Sequence, residues 1–400
     1  MPVPDELRSG PLAGLKVVDA DTHFTEPPDL WTSRVARKDQ DRVPRKVRGE
    51  DGRDTWYYNG DQIFARPAGA ASVIRKDGEK QSFWDWNIEA GLQWDEVDVG
   101  SYDVATRLKV MDEMGVWAQI VYPNTAGFGA NKLAKIEDRS LSSLIAETYN
   151  SAMGELQEES GQRLFPMALV PFWDLDAAVK EVARAAGDLG LRGIAMCSEP
   201  HAGGLPALID PYWNPLWDVC TDLDVVVNFH VGASDFGMEA FLKGTWDGQD
   251  QYRRLVVGSA LLELHNARIL ANLLTSDLLD RYPRLKWVSV ESGIGWIPYL
   301  LERLEYQLME SRSDGKSITS PTQQFRDHVY ACFWFEEMGP SRLLDRIGFD
   351  NVLFETDYPH PTCLYPTPVQ HGIKVLELWG PEVTRKVMSE NATKLYRLPA

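Results

Sequence analysis

The sequence is poor in cysteine and has no long apolar run, and each scarcity excludes a class of protein. Its four cysteines, in 400 residues, lie far apart and form no CxxC pair, so we expect buried, reduced thiols rather than a disulfide framework. No stretch approaches the roughly 18 apolar residues that cross a bilayer. The N-terminus lacks the basic start and apolar run of a signal peptide, which predicts a cytoplasmic protein.

Positive charge is scarce as well. Lys and Arg number 41 against 59 Asp and Glu, which gives a formal net charge of −18. A field of this sign repels nucleic acid and anionic membranes, so we expect neither as a partner. A small-molecule substrate needs only a local pocket and is not excluded. These patterns do not decide between a monomer and a homo-oligomer.

Short apolar segments that alternate with helical segments organise most of the chain. Eight of them predict strands, at residues 15–20, 117–122, 163–170, 193–197, 225–230, 285–291, 329–333 and 352–356. Strands that alternate with helices indicate parallel pairing, and eight such units predict a single-domain α/β protein, a (β/α)8 TIM barrel over residues 1–400. A doubly wound open sheet is the alternative. No GxGxxG follows the first strand, so a dinucleotide site has no support.

Residues 26–98 interrupt this alternation and predict a long insertion after the first strand. A hairpin is expected near residues 55–65, with its turn at Asn59-Gly60. An insertion here is expected to cover the barrel mouth. Its aromatic residues either wall a pocket or form a small core of their own: Tyr57, Tyr58, Phe83, Trp84, Trp86 and Trp94. Its basic cluster either meets a phosphate or is a solvated face: Arg45, Lys46 and Arg48.

Polar residues collect where the predicted strands end, which is where barrels carry their chemistry. Asp21 and His23 are two apart on an extended segment, so their side chains point the same way and can chelate one divalent ion. His230 ends the fifth strand and Asp357 follows the eighth. Carboxylate and imidazole ligands suit Zn, Mn or Fe and suit Ca poorly. The structural alternative is that each acid caps a helix or pairs with an arginine.

Further titratable residues lie near the same predicted mouth. Glu291 ends the sixth strand and is a candidate for a catalytic base and for a metal ligand, while His360 is a second catalytic candidate. His265 lies on the helix predicted at residues 261–280 and is either a metal ligand or a surface or packing histidine. The full set of predicted metal ligands is Asp21, His23, His230, His265, Glu291 and Asp357. Weaker candidates are Asp19, as a support for His23, and Glu26, Glu336 and His201.

Four segments carry a family resemblance: VVDADTHFTEP, VVVNFHVG, RLKWVSVESGIGWIP and NVLFETDYPHP. In this order they resemble the amidohydrolase superfamily, in its amidohydrolase-related branch of metal-dependent barrels, over residues 17–361. The resemblance implies that Asp21 and His23 are the first-strand ligands, His230 the fifth-strand ligand and Asp357 the eighth-strand aspartate. Decarboxylases of this branch usually carry a histidine on strand six, where this chain has Glu291.

That departure leaves two enzyme hypotheses. The favoured one is a monooxygenase that resembles the non-heme di-iron enzyme of platensimycin biosynthesis, with two Fe ions, O₂ and a bulky substrate such as a CoA thioester. The alternative is a mono- or dinuclear hydrolase or decarboxylase, with Zn or Mn, that acts on a carboxylate, ester or amide. A non-catalytic binding barrel is a third interpretation, and the intact ligand set at the strand ends argues against it.

Overall fold

The computed structural model describes residues 4–66, 69, 71–82, 91–311 and 319–399. Phe83, Trp84 and Trp86, three of the predicted pocket or core aromatics, lie outside the described residues. Among the described residues, no helix combines the length and the apolar content that crossing a membrane requires.

The strands follow one another with helices between most of them. In chain order they are β1 (Val17–His23), β2 (Arg45–Arg48), β3 (Asp54–Tyr58), β4 (Gln62–Ala65), β5 (Val116–Tyr122), β6 (Leu164–Pro166), β7 (Ala168–Leu169), β8 (Gly193–Ala195), β9 (Val226–His230), β10 (Trp287–Val290), β11 (Val329–Phe333) and β12 (Val352–Phe354).

The strands outside the insertion form a closed parallel barrel. One run of hydrogen-bonded neighbours is β1-β5-β6 and the other is β7-β8-β9-β10-β11-β12. The short β6 and β7 are halves of one predicted strand, and between them the Met167 N–H donates to the Val121 carbonyl at 2.8 Å. The barrel closes where the His23 N–H donates to the Tyr358 carbonyl at 2.7 Å and the Asp357 N–H to the Asp21 carbonyl at 3.0 Å. The (β/α)8 prediction is confirmed, and closure excludes the open sheet.

Helices surround the barrel, and several begin at an aspartate cap. They are α1 (Asp5–Arg8), α2 (Val104–Met114), α3 (Asn131–Ala134), α4 (Arg139–Glu159), α5 (Leu175–Gly187), α6 (Asn214–Asp222), α7 (Asp235–Lys243), α8 (Gln251–Leu274), α9 (Leu278–Arg281), α10 (Ile297–Glu310), α11 (Pro321–His328), α12 (Met338–Arg342), α13 (Leu344–Ile347), α14 (Pro368–Leu376), α15 (Gly380–Arg385) and α16 (Asn391–Leu395). The carboxylates of Asp103, Asp138, Asp174 and Asp250 each accept a first-turn N–H at the start of a long helix. Part of the acidic excess therefore serves helix initiation.

The insertion contains the predicted hairpin and a third strand. β2, β3 and β4 are antiparallel in that order, and Trp56 packs edge-on against Trp31 with ring centroids 5.6 Å apart. Lys46 and Arg48 pair with the buried Asp54 at 3.1 and 2.8 Å. Trp56 and Trp31 therefore form part of a local core, and Lys46 and Arg48 are neutralised within their own sheet. That the insertion covers the barrel mouth stays a prediction.

Candidate metal centre

Three predicted ligands from opposite sides of the barrel meet at its mouth. Asp21 and His23 come from β1 and His230 from the end of β9, and all three are fully buried, at 0 % exposure. The Nε2 atoms of the two histidines are 3.2 Å apart. Oδ1 of Asp21 lies 3.5 Å from Nε2 of His230 and 3.7 Å from Nε2 of His23. The alternation of side chains along β1 brings Asp21 and His23 to one face, as the sequence predicts.

Backbone carbonyls fix the orientation of both imidazole rings. Nδ1 of His23 lies 3.2 Å from the Pro123 carbonyl, and Nδ1 of His230 lies 2.8 Å from the Val231 carbonyl. A carbonyl oxygen can only accept, so in each neutral ring Nδ1 carries the proton and Nε2 presents its lone pair to the cluster. Two lone pairs facing each other repel, whereas a cation between them is bound by both.

The surroundings of the Asp21 carboxyl group also favour a bound cation. Both of its carboxylate oxygens are buried, and neither has a hydrogen-bond partner among the described residues. Burial, and next the charges of Asp357 and Asp19, raise the pKa of Asp21 well above its usual value. Burial lowers the pKa of His230 to about 4, so this ring stays neutral at pH 7. Neutral imidazoles beside an unpartnered carboxylate fit a divalent transition metal ion or Zn²⁺.

A second set of residues extends the cluster along the rim. Oε2 of Glu291 lies 3.3 Å from Nε2 of His230, and Oδ1 of Asp357 lies 3.7 Å from Nε2 of His23. His360 contacts Asp357, with 3.0 Å between Nδ1 and Oδ1, and its ring stacks on His23 at 3.7 Å. Two overlapping groups have ligand atoms within 4.8 Å of one another: Asp21, His23, His230 and Glu291, and then His23, Glu291, Asp357 and His360.

Two of these acids adopt a backbone conformation that ordinary residues avoid. Glu291 has φ of 50° and Asp357 has φ of 56°. The left-handed region costs a residue with a Cβ roughly 1 kcal/mol. Glu291 directly follows β10, whereas Asp357 lies three residues after the end of β12, and the side chains of both lie in the cluster. Strain concentrated at a pair of neighbouring acids is typical of a functional site.

His265 does not join this centre. Its Nε2 lies 2.6 Å from Oε2 of Glu199 and 3.2 Å from Oγ of Ser234, and Arg268 pairs with the same glutamate at 3.1 Å. The structure thus places the predicted ligand in a separate hydrogen-bonded group that ties α8 to the loops after β8 and β9. α8 begins ten residues before the predicted helix. The position of His265 relative to the barrel mouth could therefore not be predicted from the sequence.

The weaker candidates support loops and strands rather than the centre. Glu26 accepts the N–H groups of Asn124, Thr125 and Ala126 at 3.1, 2.7 and 3.3 Å. Glu336 accepts the N–H groups of residues 294 and 295, and the exposed His201 lies in the turn after β8. Asp19 accepts from Thr356 Oγ1 at 2.7 Å and from Gln119 Nε2 at 2.9 Å, which joins β1 to its neighbours on both sides.

Arg107 supports the centre without any signal in the sequence. This α2 residue is fully buried, and its guanidinium donates to the His23 carbonyl at 2.6 Å, to Thr22 Oγ1 at 3.1 Å and to the Gly100 carbonyl at 2.6 Å. It thereby holds the segment of β1 that carries the predicted ligands Asp21 and His23. An arginine on a helix is usually solvated, so only the structure identifies this role.

We expect Arg107→Met to destabilise the protein by about 3 kcal/mol or more, because several buried acceptors lose their donors at once. Urea unfolding followed by circular dichroism measures the change. Arg303→Met, at an exposed arginine on α10, is the matched control and should shift stability by less than about 0.5 kcal/mol. Equal, small effects of the two substitutions would contradict the buried role of Arg107.

A comparison with known protein families identifies the family to which this barrel belongs. The Amidohydrolase family model, Amidohydro_2, matches residues 18–398, nearly the whole chain. The chain belongs to the amidohydrolase family. The resemblance drawn from four sequence segments is therefore confirmed at the level of the family.

Individual amidohydrolase relatives are distant but cover most of the chain. Gamma-resorcylate decarboxylase of Rhizobium sp. (strain MTP-10005) is 26% identical over 329 residues, which span 77% of this chain and 91% of that protein. The crystal structure of an amidohydrolase from Mycobacterium avium subsp. paratuberculosis K-10 has a TM-score of 0.73 at 22% identity and covers 95% of this chain and 99% of that one. A dihydroxybenzoic acid decarboxylase from Polaromonas sp. JS666, solved with bound manganese and 2-nitroresorcinol, has a TM-score of 0.60 at 17% identity and covers 96% of this chain and 97% of that one. At such identities the structural likeness establishes the fold.

Proposed function

We propose that this amidohydrolase is a metal-dependent decarboxylase of an aromatic carboxylic acid and that its metal is Zn²⁺ or Mn²⁺. The observation that carries the proposal is the buried cluster of Asp21, His23 and His230, whose lone pairs and unpartnered carboxylate oxygens converge at the barrel mouth. The named decarboxylase relatives, one of them solved with manganese, support the reaction and the metal.

The monooxygenase hypothesis has less support than the alternative it was preferred to. Gamma-resorcylate decarboxylase and dihydroxybenzoic acid decarboxylase favour decarboxylation over hydroxylation, and bound manganese in the second favours Mn or Zn over two Fe ions. Neither the described residues nor the named relatives support O₂ or a CoA thioester as a reactant. The glutamate on strand six, from which the oxygenase was inferred, therefore needs a role within a decarboxylase.

We assign the metal to Asp21, His23, His230 and Asp357. When bound there, a divalent ion acts as a Lewis acid toward oxygen atoms of the substrate. Asp19 and Arg107 keep β1 in the position that this ligand set needs. His360 holds Asp357 through Nδ1 and faces Asn124 Oδ1 through Nε2 at 3.2 Å, so the ring is fixed at both nitrogens.

We assign proton delivery to Glu291. Decarboxylation replaces a C–CO₂⁻ bond by a C–H bond, so the enzyme must supply a proton to the carbon atom that loses CO₂. Burial, and next the charges of Asp357 and Asp21, raise the pKa of Glu291 well above its usual value, which suits a general acid. Its carboxyl group lies on the rim, next to His230, where a substrate held over the ligands would lie.

The experiment that tests this function measures CO₂ release and O₂ uptake together. Purified protein is incubated with a panel of hydroxylated benzoic acids, then treated with a chelator and reconstituted with Mn²⁺ or Zn²⁺. We expect CO₂ release without O₂ consumption, loss of activity after chelation and recovery with the added metal. Substrate-dependent O₂ uptake, or CO₂ release that survives complete metal removal, would contradict the proposal.

A further inference from the structure

Three of the predicted ligands are closed off from solvent, although a substrate must reach them. Asp21, His23 and His230 are all at 0 % exposure. Phe128 is half-buried and lies against the same histidines: its ring stacks on His230 with centroids 4.3 Å apart and an interplanar angle of 29°, and lies 5.1 Å from His23. A partly exposed aromatic ring therefore packs against both imidazoles.

The loop that carries Phe128 has a fixed base and a tip between two glycines. At the base, the carboxylate of Glu26 accepts three consecutive N–H groups, those of residues 124–126. Gly127, with φ of +86°, precedes Phe128 and Gly129 follows it. A residue with a Cβ is strained at such a φ, and a flanking glycine pair lets the backbone rotate at little cost. The base can therefore stay in place while the ring moves.

The turn after β9 provides the surface on which this ring rests. A Cβ built on Gly232 would lie 3.4 Å from Cδ2 of Phe128, and a Cβ built on Gly129 would lie 2.9 Å from Cβ of Ala233. The close approach at Gly129 depends on glycine, whereas the distance at Gly232 is that of ordinary van der Waals contact. The ring therefore occupies a slot between the Gly232 backbone and the His230 imidazole.

We propose that Phe128 is the gate of the metal centre and one wall of its substrate slot. Its ring swings out to admit a planar aromatic acid and then packs against that ring, which makes Phe128 a specificity-determining residue. The substrate part of this inference rests on the proposed decarboxylase function, whereas the gate does not.

Metal transfer to a chelator tests the gate without any turnover. Protein loaded with Zn²⁺ is mixed with a chromogenic chelator, and the release rate is compared among variants. Phe128→Ala should release metal about tenfold faster, because opening no longer breaks roughly 1.4 kcal/mol of aromatic contact. Phe128→Tyr keeps the stacking and should match the wild type, as should Tyr299→Ala at an exposed aromatic residue of α10.

The equilibrium affinity for Zn²⁺ separates a gate from damaged ligands. A gate changes the rates of entry and release together, so the Kd of Phe128→Ala should stay within about twofold of the wild type. A wild-type release rate in Phe128→Ala would overturn the gate. Faster release with a proportional rise in Kd would overturn it as well, because it shows that the ligands themselves are disturbed.

Binding of benzoate and cyclohexanecarboxylate to the Zn²⁺-loaded protein tests the slot. Calorimetry should show that the wild type binds benzoate about tenfold more tightly than cyclohexanecarboxylate. In Phe128→Leu, which keeps an apolar group without a ring, the preference for benzoate should fall below about threefold. An unchanged preference, or no binding of either acid, would overturn the slot. Absence of CO₂ release from every substrate, together with fast metal release from Phe128→Ala, would refute the decarboxylase and leave the gate standing.

Discussion

His230→Ala should lower kcat by about a thousandfold or more, because loss of the ion removes several kcal/mol of Lewis-acid stabilisation. His230 is the most central of the proposed ligands: its Nε2 lies within 3.5 Å of Nε2 of His23, Oδ1 of Asp21 and Oε2 of Glu291. Without it the remaining donors no longer surround a cation from both sides of the barrel. The bound metal should fall from about one ion per chain to a small fraction.

The measurement pairs steady-state kinetics with elemental analysis of the same sample. Circular dichroism checks that the variant is folded, which we expect because an alanine at the end of β9 removes no backbone hydrogen bond. His201→Ala is the matched control, since His201 is an exposed histidine in the turn after β8. Full metal content in His230→Ala, or an equal loss of activity in the control, would contradict the assignment.

Glu291→Gln should lower kcat by about a hundredfold to ten-thousandfold, the range that general acids contribute, while the metal content stays near that of the wild type. Glutamine has the shape of glutamate and cannot deliver a proton. Asp21, His23, His230 and Asp357 all remain to hold the ion. Because the sequence makes Glu291 a candidate for both roles, this substitution separates a proton donor from a ligand.

The same variant gives a different result if Glu291 mainly binds metal. Metal content and activity would then fall together, as in His230→Ala, and the proton would have to come from another group, such as His360, the second catalytic candidate. Glu302→Gln, at an exposed glutamate of α10, controls for the loss of one negative charge and should leave kcat within about twofold. Unchanged turnover in Glu291→Gln would contradict both roles.

The barrel could be predicted from the sequence because each of its strands has a local sequence pattern. Each strand is a short apolar run next to a helical segment. The third predicted strand is present, although the structure divides it into β6 and β7 at Met167. The starts of helices were harder to predict. α8 begins at Gln251, whereas the sequence predicts a start at residue 261. Polar residues in its first turns hide a helix that is anchored by the Asp250 cap and by tertiary packing.

The difference between local signals and tertiary packing also explains which residues of the candidate centre could be predicted. Asp21, His23, His230 and Asp357 sit at strand ends, and barrel closure brings strand ends together whatever the loops do. His265 and Phe128 lie on a helix and a loop, whose approach to the mouth depends on packing that no local pattern encodes. The reaction could not be predicted either, because the same imidazoles and carboxylates bind iron, manganese and zinc.

The most direct test of the metal centre is diffraction from crystals of the purified protein at the Mn, Fe and Zn absorption edges. The account predicts one anomalous peak per chain, of Zn or Mn, at about 2.0–2.3 Å from Nε2 of His23 and of His230. Asp21 should be the neighbouring carboxylate ligand. A pair of iron peaks at this position, or a metal peak beside His265 and Glu199 with none at the mouth, would contradict it.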